Sequence, residues 1–92
     1  MTRIKICGLR SLEQALVAAE AGADFLGIVF EPNSSRYVST EIAKHLVSNF
    51  SEIWTKNIPK WVGVFANQSL CDVNQILLEC GLDLAQLSGN ES

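Results

Sequence analysis

Residues 3–11 read RIKICGLRS, a short run of strand-forming residues that ends at a glycine and is followed by a helix-capping serine. Gly8 lets the backbone turn sharply, and Ser11 with Gln14 three residues later has the spacing of a capping box. The stretch therefore predicts one βα unit. Cys7 stands at the carboxyl end of its strand, where βα-repeat enzymes place their reactive groups. A packed core cysteine is the alternative, because free Cys behaves as a small apolar residue.

The alternation of strand and helix continues along the chain. Apolar residues recur at helical spacing over 12–21, and the continuous apolar run 25–30 is typical of a strand buried on both faces. Further elements are predicted as a helix over 40–50, a strand over 61–65, a helix from the Ser69 cap to Cys80, and a strand over 82–87. The core is expected to include Ile42, Ala43, Leu46, Val47 and Phe50, with Trp54 and Ile58 folding back on it.

Two joints between a helix and a strand share one sequence pattern. Gly22-Ala23-Asp24-Phe25 and Gly81-Leu82-Asp83-Leu84 both place a glycine after a helix and an aspartate just before a strand. The repetition indicates one βα unit copied along the chain. Successive βα units predict parallel strands joined by right-handed crossovers. The predicted fold class is therefore α/β, with elements in the order β-α-β-α-β-α-β.

The length of the chain bears on how much of a barrel it can form. A closed (β/α)8 TIM barrel usually takes about 250 residues, whereas these 92 residues hold four predicted strands and three helices. We expect residues 1–92 to be the N-terminal half of such a barrel, part of a longer protein, with the C-terminal half absent. The first and last strands would then be unpaired edges, so the chain alone is expected to self-associate.

Composition excludes several classes of function. The net charge of −3 and the absence of a Lys/Arg run argue against a nucleic-acid partner. No signal peptide is visible and no segment is long and apolar enough to span a bilayer, so no membrane role is predicted. Three cysteines without any sign of secretion favour free thiols in a reducing cytoplasm. With His45 the only histidine, and expected to be solvent-exposed, no metal site is predicted.

Four stretches in order resemble the phosphoribosylanthranilate isomerase family, (β/α)8 enzymes of tryptophan biosynthesis. They are Lys5–Gly8, Gly22–Phe30 continuing to Ser34–Val38, Val62–Asn67, and Leu82–Glu91. The resemblance covers the whole chain but only the N-terminal half of the family's barrel. It implies an intramolecular aldose–ketose isomerisation, an Amadori rearrangement, that converts N-(5-phosphoribosyl)anthranilate to 1-(2-carboxyphenylamino)-1-deoxyribulose 5-phosphate. No cofactor is implied.

The resemblance assigns roles to two residues. Cys7, in the K-x-C-G pattern, matches the family's general base, which removes the C2 proton. Arg36 matches the arginine that meets the anthranilate carboxylate, a role that suits a planar guanidinium with two parallel donors; a solvated loop arginine is the alternative. Gly8 and Gly27 are expected to serve backbone geometry and close packing. Lys5 should share the strand face of Cys7.

Two positions depart from the family pattern, and part of the machinery lies outside the match. Ser88 stands where the family usually has His, and Ser35 where it usually has Pro. The family's general acid and phosphate-binding loops come from its C-terminal half, so the 92 residues alone are expected to be inactive. Two alternatives stay open: a non-catalytic βα half-barrel used for assembly or ligand binding, and a different phosphosugar barrel enzyme such as an epimerase. The K-x-C-G pattern and the Arg36 loop argue against the epimerase.

Overall fold

A computed structural model describes residues 3–66 and 68–87. Its elements, in chain order, are β1 (Lys5–Ile6), α1 (Leu12–Glu20), β2 (Phe25–Val29), α2 (Thr40–Ile53), β3 (Lys60–Phe65), α3 (Leu70–Cys80) and β4 (Leu84–Leu87). The predicted alternation of strands and helices is confirmed, with β1 shorter than expected and α2 longer. None of the helices in this described part has the length and apolar character that crossing a bilayer requires.

The strands form one parallel sheet in the order β1-β2-β3-β4, as the repeated βα units predicted. The Lys5 ammonium in β1 donates a hydrogen bond to the Gln86 amide oxygen in β4, although these two strands lie at opposite edges of the sheet. The sheet must therefore curl until its edge strands face each other across a concave surface. Such curvature is that of the wall of a barrel of parallel strands.

The core lies between the three helices and the opposite, convex face of the sheet. Leu26 and Ile28 in β2 and Trp61 and Phe65 in β3 alternate along their strands and are buried there. The ring of Trp61 meets that of Phe50 from α2 edge-on, with centroids 5.4 Å apart. The helices cover only the convex face, yet Val29 and Val62 on the concave face are also buried, at 8% and 5% exposed.

Two predictions about core residues near α2 are wrong. Ile58 is 75% exposed, because the chain turns there through the buried Pro59 and the next amide, of Lys60, is bonded to the Asp24 carbonyl. Ile42 is 54% exposed, since at about 100° per residue it lies roughly 70° to one side of the buried stripe of α2. The prediction for Trp54 is confirmed: it packs on the core and stacks against Phe50, with centroids 5.8 Å apart.

The repeated Gly-x-Asp joints build the same clamp twice at the amino end of the sheet. The Asp24 carboxylate accepts from the Ile4 amide at 2.8 Å, while the Asp24 amide donates to the Ile4 carbonyl at 2.7 Å. Asp83 makes the same pair of bonds with Trp61, at 2.8 and 3.0 Å. Each clamp fixes the register between a strand and the strand before it, which explains why the sequence repeats.

Candidate active site

Cys7 immediately follows β1, at the carboxyl end of the sheet, and its side chain is exposed. It lies directly against the backbone of Gly27 in β2. A Cβ atom added at Gly27 would come within 3.0 Å of Cys7 Sγ and 3.2 Å of Cys7 Cα, so only glycine leaves the thiol this position. The alternative of a packed core cysteine is therefore wrong.

The loop after Cys7 is held firmly to β2. The amides of Gly8 and Leu9 both donate to the Gly27 carbonyl, at 3.1 and 3.0 Å, and the Leu9 side chain is buried in the core. Gly8 has a φ of +83°, a left-handed conformation that side chains other than glycine rarely adopt. The expected roles of Gly8 and Gly27 in backbone geometry and close packing are confirmed.

Arg36 lies in the loop between β2 and α2, and backbone bonds order that loop. The Arg36 amide donates to Ser34 Oγ at 3.1 Å, and the Val38 amide donates to the Val29 carbonyl at 2.9 Å. The aliphatic stem of Arg36 rests on Gly8, where an added Cβ would meet Arg36 Cδ at 2.5 Å and Nε at 3.2 Å. The structure thus brings Arg36 against the residue that directly follows Cys7.

The charged side chains near Cys7 are those of Arg36, Lys5 and, in the groove beside it, Glu13. Within residues 3–66 and 68–87 the one side-chain ion pair joins Lys56 to Glu20, so the Arg36 guanidinium is not neutralised by any described carboxylate. Lys5 stands two residues before Cys7 and projects on the same face, as expected, where it bonds to Gln86. An exposed thiol, next in sequence to a glycine that carries the stem of an uncompensated arginine, suits a ligand with an anionic group near the atom that reacts.

Sequence reasoning missed several polar residues at this end. Gln68, just after β3, donates to the Phe30 carbonyl at 2.9 Å and accepts from the Ala66 amide at 2.6 Å, which ties the ends of β2 and β3 together. Gln86 was not singled out as a partner for Lys5. The signal that pointed to Cys7, a polar residue next to a strand end, could have found Gln68 as well. Ser88 lies outside the described residues.

The other two cysteines lie on α3 and face different environments. Cys71 is exposed, whereas Cys80 is buried and its thiol donates to the Thr40 carbonyl at 3.5 Å. Burial raises the pKa of the Cys80 thiol; the charge of Glu79 adds to this and that of Lys44 opposes it. Cys80 therefore stays protonated and serves packing. Their spacing of nine residues, at about 100° per residue, puts the two on opposite faces of α3.

Both edge strands of the sheet, β1 and β4, lie beside exposed apolar surface. A groove of about 520 Å³ runs along the open edge of β1 and α1, and it is lined by Ile6, Leu9, Val17 and Ala18 together with Cys7 and Gly8. At the other edge Leu84 and Leu87 of β4 are 44% and 61% exposed. The groove therefore joins an uncovered apolar packing surface beside β1 and α1 to the candidate site at Cys7.

Comparison with known proteins agrees with this arrangement. Residues 4–92 match the family model described as N-(5'-phosphoribosyl)anthranilate (PRA) isomerase. The N-(5'-phosphoribosyl)anthranilate isomerase of Desulfitobacterium hafniense is 48% identical over 91 residues, which are 99% of this chain and 36% of that protein.

Solved structures give the same result. Phosphoribosyl anthranilate isomerase from Thermotoga maritima superposes on all of this chain with a TM-score of 0.87 and 37% identity, over 42% of its own length. A structure of the enzyme in complex with reduced 1-(o-carboxyphenylamino)-1-deoxyribulose 5-phosphate gives the same score and identity, over 45% of its length. The chain thus spans 36–45% of the length of these proteins. It belongs to the N-(5'-phosphoribosyl)anthranilate isomerase family.

Proposed function

We propose that this chain supplies the base and the carboxylate clamp of an N-(5'-phosphoribosyl)anthranilate isomerase, with Cys7 as the base and Arg36 as the clamp. The observation that supports this most is the contact of the Arg36 stem with Gly8, directly after Cys7. In the aminoaldose substrate the carboxylate and the sugar carbons C1 and C2 are joined through one aromatic ring and its nitrogen. A thiol, followed directly by the glycine on which the arginine stem rests, offers one partner for each of these two groups.

The proposed chemistry needs Cys7 as a thiolate. Once a general acid has opened the sugar ring to the Schiff base, the thiolate takes the proton from C2. The C2–H electron pair forms the C1=C2 bond of an enaminol, and tautomerisation of the enaminol yields the ketose. An ordinary thiol has a pKa of about 8.5, and a base must come within about 3.2 Å of the proton's carbon or reach it through water. The exposed position of Cys7 on a rigid loop permits that approach.

The substrate carboxylate is proposed to bind the Arg36 guanidinium through two parallel hydrogen bonds. The clamp would hold the aromatic ring and so place C2 at the sulfur, and such orientation contributes much of the rate in a reaction of this kind. Exposed thiols at Cys7 and Cys71 persist best in a reducing compartment, so we place the protein in the cytoplasm.

Further βα units are proposed to complete the site and the barrel. They would supply the acid and the phosphate anchor, and would cover the apolar groove along β1 and the exposed leucines of β4. A parallel sheet is normally covered on both faces and closed at its edges. Without such units the chain is proposed to self-associate through these same surfaces.

The test uses this chain joined to the C-terminal portion of the Desulfitobacterium hafniense relative, called here the completed barrel. Cys7→Ser should lower kcat by about 10²–10⁴-fold, because a serine hydroxyl does not ionise near neutral pH. Cys71→Ser removes an equally exposed thiol on α3 and should leave kcat unchanged. An unchanged kcat in Cys7→Ser would disprove the assignment. Binding of the anthranilate ligand without turnover in the wild type would favour the non-catalytic module.

A further inference from the structure

The two loops that meet at the candidate site each place an arginine on the other. Arg36, from the loop after β2, lays its stem on Gly8. In return Arg10, from the loop after β1, donates from Nη1 to the carbonyl of Ser35 at 3.3 Å. The residue whose carbonyl Arg10 binds is the one directly before Arg36.

The backbone of Arg10 is held in place by a hydrogen bond to α1. Its own amide donates to Gln14 Oε1 at 2.8 Å, and the Gln14 amide donates to the N-cap oxygen of Ser11 at 3.2 Å. The capping box predicted from the sequence thus forms with a shift: the Gln14 oxygen accepts from the residue before the N-cap. With Leu9 buried next to it, the backbone of Arg10 is anchored both to α1 and to the core.

The contact fixes the peptide group that bears Arg36. The Ser35 carbonyl accepts from Arg10, and the Arg36 amide at the other side of the same peptide donates to Ser34 Oγ at 3.1 Å. Both polar groups of that peptide are therefore held. Its plane and the stem contact on Gly8 together set the direction in which the guanidinium of Arg36 points.

We propose that Arg10 is a positioning residue, which holds the Ser35–Arg36 peptide so that the Arg36 guanidinium lies beside Cys7. The proposal rests on the proposed function, since it gives Arg10 its effect through the carboxylate clamp. If Arg10 instead bound the carboxylate directly, Arg10→Ala would have the same effect with and without Arg36 in a double-mutant cycle.

The cycle is made in the completed barrel with Arg10→Ala, Arg36→Ala and the double variant. Arg10→Ala should raise KM for the aminoaldose by about 3- to 10-fold, as expected for one hydrogen bond, and lower kcat by a smaller factor because the clamp also orients C2. It should have no effect on KM in the Arg36→Ala background, nor for an analogue that lacks the carboxylate. Arg10→Lys keeps a donor and should restore most of the loss, and Arg3→Ala should match the wild type. Equal effects of Arg10→Ala with and without Arg36 would overturn the proposal.

Hydrogen exchange of the 92-residue chain tests the same point without any turnover. Amides in residues 31–38 should exchange faster in Arg10→Ala than in wild type, whereas those in α2 should be unchanged. Identical exchange in residues 31–38 would also overturn the proposal. If the wild-type completed barrel shows no isomerase activity, the proposed function fails while the exchange experiment still decides the role of Arg10.

Discussion

The two ends of the sheet use polar groups in opposite ways. At the amino end, the carboxylates of Asp24 and Asp83 accept hydrogen bonds from backbone amides of the neighbouring strand. At the carboxyl end, the backbone groups are satisfied by one another and by Gln68, while the Cys7 thiol and the Arg36 guanidinium stay exposed. One end therefore holds the strands in register, and the other end leaves a thiol and a guanidinium exposed.

The two ends of the repeated βα unit therefore differ in what their turns do. Both ends contain glycines with positive φ, but their surroundings differ: Gly22 near the amino end has open space where a Cβ would go, whereas Gly8 has the Arg36 stem. At the amino end, the left-handed turn at Gly22 serves only to reverse the chain. At the other end the turn at Gly8 also makes room for the Arg36 side chain.

The largest effect that would sharpen this contrast is expected from alanine at the two glycines. Both Gly8→Ala and Gly22→Ala incur about 1 kcal/mol for a left-handed residue with a side chain. Only Gly8→Ala pushes Arg36 away, so kcat/KM of the completed barrel should fall about 10- to 100-fold in that variant alone. Steady-state kinetics beside thermal unfolding of both variants separate the two contributions. A similar kcat/KM for the two variants would break the contrast.

A smaller effect, on stability only, is expected from the aspartate clamps. Asp83→Ala leaves the part-buried Trp61 amide without its charged acceptor and should lower the free energy of unfolding by about 1.5–3 kcal/mol. Asp24→Ala should cost less than about 1 kcal/mol, because water can replace the carboxylate at the exposed Ile4 amide. Urea unfolding measures both, with Asp83→Asn as the control that keeps an acceptor. A changed KM in either variant would contradict the claim that the amino end of the sheet contributes to stability only.

Much of this fold could be predicted because its signals are local. Apolar runs, the Ser11 and Ser69 caps and the glycines that end helices mark the elements, and the repeated Gly-x-Asp joints indicate parallel βα units. The position of Cys7 at the carboxyl end of the sheet follows from where its strand ends. The role of Arg36 came only from the family resemblance, since a loop arginine by itself is usually solvated.

What could not be predicted depends on how distant segments meet. The contact of Arg10 with Ser35 joins residues 25 positions apart, and that of Lys5 with Gln86 joins residues 81 apart. Neither has a periodic signal in the sequence. Ile42 and Ile58 were misplaced for a related reason, because the sequence gives the apolar residues of a segment but not the angle at which it packs.

The most direct test of the account compares the 92-residue chain alone with the completed barrel, by isomerase assay and light scattering on the same preparations. We predict that the chain alone is self-associated and without turnover, because the acid, the phosphate anchor and the cover for both sheet edges are proposed to come from further units. The completed barrel should show isomerase activity that Cys7→Ser removes. An active, stable monomer of the 92-residue chain would contradict the account.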